Sequence, residues 1–308
     1  MRLGVLDVGS NTVHLLVVDA FRGAHPWPAH SEKSVLRLAE QIGKDGKLSK
    51  AGASALVDAV SEAGAAAERL RTEDLLAFAT SAVRDAANSA DVLKQVRKET
   101  GVDLRVVSGE DEARLTFLAV RRWFGWSAGR LLNFDIGGGS LEIASGIDEE
   151  PDVALSLPLG AGRLTRRFLG DVVGPPPAAT IQEMAEYVES ALDPVVEKLT
   201  DAGWDRPVAT SKTFRTLARL AGAAPSAEGP YHPRRLSLTG LRQVLGFIRL
   251  IPMGALAGLD GVSASRAHQL LGGAVVAEAT MRRLDVHELD ICPWALREGV
   301  ILRRLDTS

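Results

Sequence analysis

The chain has 308 residues, 46% hydrophobic and 24% charged, with a formal net charge of −3. That length predicts about two domains with sizeable cores, and the charge excludes a surface that attracts polyanions as a whole. No window approaches the roughly 20 apolar residues of a membrane span. Met1-Arg2 runs directly into a strand rather than a signal peptide, and one cysteine, Cys292, excludes an internal disulfide and fits a reducing cytoplasm. The six histidines show no metal-ligand spacing, so no zinc site is expected, and Cys292, in Leu289-Asp290-Ile291-Cys292-Pro293, reads as a core residue.

In chain order, Leu3–Asp7 and Val13–Ala20 read as an apolar β-hairpin. Residues 22–34 read as irregular, Ser34–Leu38 as a third strand and Ile42–Leu48 as a loop. Ser49 is a suitable N-cap for an alanine-rich helix to about Leu70. A strand over Leu75–Ala79, a helix over Ser89–Thr100 stopped by Gly101, a strand over Leu104–Val107 and a helix from Ser108 to Trp123 follow. Gly125 to Gly129 reads as a hinge, dividing the chain into residues 1–126 and 127–308. The second part repeats the plan, with strands over Arg130–Ile136, Leu141–Ile147 and Val153–Leu157 and a helix opened by Gly160-Ala161-Gly162. After a break at Pro175–Pro177 come a long helix over Thr180–Ala202, a strand over Val208–Thr210 and a helix over Thr213–Leu220. A loop over 222–237, helices over Thr239–Leu250 and Ser265–Leu284, a strand over Glu288–Ile291 and a helix over Pro293–Leu305 complete the chain. The last helix is expected to pack back on the first domain.

Two stretches carry chemistry. Asp135-Ile136-Gly137-Gly138-Gly139-Ser140-Leu141-Glu142 joins two apolar strands, and Asp7-Val8-Gly9-Ser10-Asn11 does the same at the N-terminus. Glycines let backbone N–H groups approach a ligand closely, and a nest of such groups suits phosphate. An acid at the strand end can hold a hydrated divalent metal on that phosphate. The two copies stand about one domain length apart, which implies two similar domains with a phosphate chain in a cleft between them.

Asp7-x-Gly-Ser-Asn, Ala79-Thr80-Ser81-Ala82-Val83-Arg84, Val107-Ser108-Gly109-Glu110-Asp111-Glu112-Ala113-Arg114 and Asp135-Ile-Gly-Gly-Gly-Ser-Leu-Glu142 occur in that order, with Leu296-Arg297-Glu298-Gly299-Val300 near the end. Together they resemble the exopolyphosphatase/guanosine pentaphosphate phosphatase family (Ppx/GppA) in its short, two-domain form. The resemblance implies an α/β chain of two ribonuclease H-like domains, of the actin, hexokinase and Hsp70 kind, with an interdomain active-site cleft. It implies Glu112 as the base that activates water, Asp135 and Glu142 as further catalytic acids, and Arg84 as the cation that neutralises charge in the transition state. Asp7, Asp135 and Glu142 become metal ligands, for Mg²⁺ or Mn²⁺, with a monovalent cation such as K⁺ as a further cofactor. Ser10, Asn11, Ser81, Gly137, Gly138, Gly139, Ser140, Arg163, Lys212 and Arg215 become phosphate contacts. The expected partners are inorganic polyphosphate, guanosine penta- or tetraphosphate and a second copy in a homodimer, with neither nucleic acid nor membrane.

Two departures from the family pattern stand out. Ala209-Thr210-Ser211-Lys212-Thr213-Phe214-Arg215 replaces a glycine–threonine loop and brings two cations that suit a further phosphate better than a purine. Arg266-Ala267-His268 stands where an Arg-Ala-Asp is expected. Arginines also cluster at Arg163, Arg166 and Arg167 and at Arg234 and Arg235. The leading expectation is metal-dependent release of terminal orthophosphate from polyphosphate. Its alternatives are hydrolysis of guanosine pentaphosphate, a non-catalytic polyphosphate- or nucleotide-binding regulator, and an ATP-dependent kinase.

Overall fold

The computed structural model describes residues 1–21, 23, 26–170, 172 and 174–307. Its contacts divide the chain into two compact units, Met1–Leu115 with Leu296–Ser308, and Thr116–Ala295.

The first unit is built on β1 (Arg2–Val8), β2 (Thr12–Asp19), β3 (Pro28–Val35), β4 (Asp74–Ala79) and β5 (Arg105–Val106), in the order β3-β2-β1-β4-β5. The first three strands are antiparallel neighbours, and β4 and β5 run parallel to β1. Strand alternation serves both faces of this sheet. Leu6, Val8, Val13, Leu15 and Val17 pack against α1 (Lys50–Arg69) and α3 (Ser89–Thr100). Leu3, Val5, Leu16, Val18 and Phe78 face the other way, onto Leu296, Ile301 and Leu305 of the helix over Leu296–Asp306. Each such apolar side chain contributes about 1.5–3 kcal/mol when fully buried. The cap expected at Ser49 forms, its side chain accepting from the Gly52 N–H, and Gly101 ends α3 at φ 73°.

The third strand departs from expectation. It spans Pro28–Val35, not Ser34–Leu38, within a stretch that reads as irregular (residues 22, 24 and 25 lie outside the described residues). The strand is polar because it is the sheet edge, where proline as first residue and charged side chains are tolerated.

In the second unit, β6 (Leu131–Ile136), β7 (Leu141–Gly146), β8 (Val153–Leu157), β9 (Arg206–Ala209), β10 (Arg235–Ser237) and β11 (Glu288–Ile291) form one sheet, ordered β10-β11-β9-β6-β7-β8. The β8-β7-β6-β9 part repeats β3-β2-β1-β4, so both units are ribonuclease H-like sheets, the two-domain actin-like plan. Around this sheet lie α5 (Ala161–Leu164), extended by a π-helical turn over Thr165–Leu169, α6 (Ala178–Ala202), α7 (Ser211–Leu220), α8 (Leu238–Ile248) and α9 (Leu270–Arg283). β10 lies inside the stretch 222–237 that reads as loop; three residues are too few for a period to register. The helices α2 (Ser81–Arg84) and α4 (Gly109–Phe124) complete the first half, and Leu296–Asp306 is α10.

The units divide inside α4, at Leu115/Thr116, whereas the sequence reading divides the chain at 126/127. Gly125–Gly129 therefore lies within the second unit and is not the boundary. The fully buried Arg121 donates to the carbonyls of Gly125 (3.0 Å), Gly129 (2.8 Å) and Gly146 (3.0 Å). A segment tied at both ends to one guanidinium and to β7 is poorly suited to hinge motion.

Candidate active site

In the first unit, the β1–β2 turn closes through Gly9 N–H to the Thr12 carbonyl (2.9 Å). Its carbonyls are taken from behind: Ser10 O accepts from Ala39 N–H (3.1 Å), and Asn11 O from Leu36 and Arg37 N–H (3.0 Å each). Ser10 and Asn11 are buried, and the Ser10 and Ser81 hydroxyls lie 2.9 Å apart. The short helix α2 then delivers Arg84. Its guanidinium donates to Glu112 Oε2 (3.2 Å), to the Val107 carbonyl (3.3 Å) and to Asp85 (3.0 Å). Burial alone would lower the Arg84 pKa, but Glu112 and Asp85 outweigh it and raise it. Glu112 stands in the first turn of α4, capped by Ser108, whose hydroxyl accepts from Asp111 N–H (3.1 Å). Two residues assigned separately from sequence, Arg84 and Glu112, thus form one ion pair.

Asp7 has a partner the sequence reading missed. Arg297, from α10, lies 3.8 Å from Asp7 Oδ2 and donates to His14 Nδ1. His14 is the cross-strand partner of Asp7. Because a guanidinium only donates, Nδ1 carries the lone pair and Nε2–H donates to the Ser31 hydroxyl (2.8 Å). Burial, then Arg297 and Lys33, push His14 down to about 3, so the ring is neutral. Arg297 falls inside a quoted motif, but only the return of the last helix to β1 gives it this role.

In the second unit, Asp135 and Glu142 are register partners across the β6–β7 hairpin. Gly137 N–H closes the turn on the Ser140 carbonyl (2.9 Å). Here too the carbonyls are taken from behind, Gly137 O by Ala161 N–H (2.9 Å), Gly138 O by Arg163 N–H (2.9 Å) and Gly139 O by Arg163 Nε (2.8 Å). The N–H groups of Gly138, Gly139 and Ser140 find no acceptor among the described residues, which makes them an anion nest. Gly160 permits this arrangement: a Cβ there would stand 2.3–2.4 Å from backbone atoms of Gly139 and Ser140. Arg163, expected to contact substrate, spends its Nε on supporting the turn.

The Thr210 hydroxyl donates to Asp135 Oδ2 (2.6 Å), and the buried Glu142 accepts from the Ser156 hydroxyl (2.9 Å). Burial pushes the Asp135 carboxyl above its ordinary value, while Thr210, Arg215 and Arg266 hold it back. A buried acid in that state calls for a proton or a cation, so the donor set fits a hard divalent ion. Among the described residues no group of three or more His, Cys, Asp or Glu side chains is placed to hold a metal alone. Lys212 and Arg215 line a cavity of about 410 Å³ beside α7, and Arg215 donates to the Pro293 carbonyl (3.2 Å). His268 is half-buried in the turn Ala267–Gln269, and Cys292 is buried in the core as expected.

A sheet of this order, with an acid near the end of its first strand and a carbonyl-backed turn beyond, occurs in both units. A model of the Ppx/GppA phosphatase family matches residues 17–308. Exopolyphosphatase 1 of Mycobacterium tuberculosis is 59% identical over 309 residues, covering 100% of this chain and 89% of the relative, and that of Mycobacterium leprae is 58% identical, covering 100% and 91%. Among solved structures, an exopolyphosphatase from Cytophaga hutchinsonii superposes with a TM-score of 0.89 at 25% identity, covering 100% of this chain and 98% of that one. The Aquifex aeolicus PPX-GPPA enzyme gives 0.81 at 25% identity, covering 98% and 99%. The chain belongs to the Ppx/GppA phosphatase family. No helix among the described residues is long and apolar enough to cross a membrane.

Proposed function

We propose that the chain is an exopolyphosphatase that releases terminal orthophosphate from inorganic polyphosphate, as the names of its Mycobacterium relatives say of those proteins. The observation that carries this reading is the anion nest of Gly138, Gly139 and Ser140 directly between Asp135 and Glu142. The nest's N–H groups hold the terminal phosphate's oxygens. Glu112, oriented by Arg84, takes a proton from water as the water oxygen bonds to the terminal phosphorus. The bridging P–O bond breaks, its electrons stay on the shortened chain, and orthophosphate leaves. Asp135 with Glu142 would hold a divalent ion, which would supply charge neutralisation to the phosphate oxygens. Ser10, Asn11 and Ser81 are proposed as further phosphate contacts. On the resemblance we assign Mg²⁺, the cytoplasm and a homodimer to this activity.

Phosphate release from long polyphosphate, tripolyphosphate and guanosine pentaphosphate, measured side by side, tests the reading. Faster turnover of the inorganic chains is expected. Turnover of the pentaphosphate alone would make the chain an alarmone phosphatase.

A further inference from the structure

The two edges of the first unit's sheet are treated differently. At one edge β3 is blunted against further pairing: it opens with Pro28, carries His30, Glu32 and Lys33, and is exposed along most of its length. At the other edge β5 has two residues and pairs only with Phe78 and Ala79. Asp74–Ala77 of β4 therefore have a strand neighbour on the β1 side alone. Alternation sets which backbone groups are left over. The Ala79 carbonyl accepts from Val107 N–H (3.0 Å) on the outer side, while Thr80 N–H donates to the Val8 carbonyl (3.0 Å) on the inner side. Leu75 and Ala77, in step with Ala79, thus turn their amides and carbonyls outward, and Leu75 meets no strand there.

This second edge is recessed. A cavity of about 670 Å³ runs along it, wholly within the first unit, lined by Leu75 and Ala77 of β4, by Val102 and Val107, and by Val300 of α10. Leu75 and Val102 stand at the margin of the apolar layer under α1 and α3, and Val107 and Val300 at the margin of the layer under α10. Both layers end at the groove without a strand to complete them. The acids that line it are already paired, Asp74 with Arg304 (3.0 Å) and Asp103 with Arg97 (3.6 Å). Arg105, exposed on β5, makes neither a hydrogen bond nor an ion pair among the described residues. As the register partner of Phe78 it stands on the α10 face of the sheet.

We propose that the outer edge of β4 is a docking groove for an extended, acidic segment of another protein, which adds to the sheet as a strand. Main-chain pairing would hold such a segment, and pockets at alternate positions would select it. The open edge is about 13 Å long at the rise of a strand, enough for a segment of four or five residues. Charge complementarity fixes the chemistry of the guest. A neutral segment would cover Arg105 and strip its water without supplying an acid, so the groove favours a carboxylate opposite Arg105. The groove shares no residue with the anion nest or its acids.

The test titrates the full chain with acetyl-Val-Glu-Val-Glu-Val-amide, with its counterpart carrying Lys for Glu, and with the acidic peptide N-methylated on either alternate set of amides. N-methylation removes strand donors and keeps charge and side chains, so this arm needs no protein variant. Hydrogen–deuterium exchange of residues 74–79 and anisotropy of dye-labelled peptide report binding. The acidic peptide should slow exchange at Leu75 and Ala77. N-methylation of the edge-facing set should weaken it about tenfold or more, and the other set much less. Arg105→Glu should weaken the acidic peptide about tenfold and turn the preference towards the Lys peptide, whereas Lys44→Glu, which lies outside the groove, controls for net charge. Absence of protection at 74–79, equal binding of both N-methylated peptides, or the same loss from Lys44→Glu would overturn the proposal. So would protection that rises with protein concentration when no peptide is present, which would make a second copy of the chain the occupant.

Discussion

The two acid-bearing hairpins start from the same recipe and reach different ends. In both, a strand closes on an acid, a glycine turn follows, and a neighbouring parallel strand ends in Ala-Thr-Ser. The neighbour's register differs by two residues. Ala79 lies opposite Val8, one residue past Asp7, whereas Ala209 lies opposite Phe134, one residue before Asp135. A shift of two preserves which face each side chain occupies. It changes only how far along the hairpin the threonine arrives. Thr210 therefore bonds Asp135, while in the first unit Ser81 meets Ser10 and Asp7 has Arg297 beside it. Both turns are held by their carbonyls, so the fold conserves the outward presentation of amides. The acid's partner is the variable part. The lesson is that a duplicated motif can divide its labour through register alone, without new residue types.

The comparison can be broken most severely at Glu112, which has a role in the first unit only. Glu112→Gln should lower phosphate release by about 10²–10⁴-fold with polyphosphate binding retained. Near-normal turnover would remove the base from the mechanism.

A second blow falls on the shared feature, the carbonyl-backed turn. Gly160→Ala places a methyl group inside the Gly139–Ser140 backbone, so the turn must move. A loss of about 1–3 kcal/mol in unfolding free energy is expected from the overpacking, with a marked fall in turnover. A variant that melts and turns over like the wild type would show that the turn is not seated as described.

The register difference itself is sharpened by Thr210→Val, which removes the donor to Asp135 and little else. The expected fall in kcat is about tenfold, from a buried hydrogen bond to a charged group. The matching change in the first unit, Ser81→Ala, should cost less, because its hydroxyl meets a serine rather than an acid. Equal effects of the two would remove the distinction.

The smallest effect concerns His14. Its folded pKa is about 3, below the ordinary 6.5, so the unfolded state takes a proton that the folded state refuses. Stability should therefore fall as pH drops below about 6.5 and go on falling towards about 3. Between about pH 7 and pH 5, urea unfolding should show the wild type losing about 1–2 kcal/mol more than His14→Gln. Parallel losses would mean that His14 is protonated in the folded chain.

Much of this was legible beforehand. The hairpins at Asp7 and Asp135, the Ser49 cap and the Gly101 stop are local signals, and each appears where its chemistry requires. What escaped has non-local causes. The polar β3 is stabilised by pairing along β2, not by its own pattern. The segment Gly125–Gly129 has a hinge's composition but is tied by a buried arginine from the preceding helix. Arg163 lies in a cationic cluster, yet it serves a carbonyl that only the folded turn brings near. Arg297 meets Asp7 and His14 across almost the whole length of the chain.

That last return has a consequence for how the protein is made. Helix α10 covers one face of the first unit's sheet, and Gly299 sits so closely on α4 that a Cβ would stand 1.9 Å from the Leu115 carbonyl oxygen. All of Thr116–Ala295 is translated before that helix exists. At typical synthesis speeds this interval is on the order of ten to forty seconds. During it Leu3, Val5, Leu16, Val18 and Phe78 lack their cover, on a sheet whose strands are already complete. The unit that begins at the N-terminus is thus the later one to finish, and the nascent chain offers a chaperone an apolar sheet face that the finished protein hides.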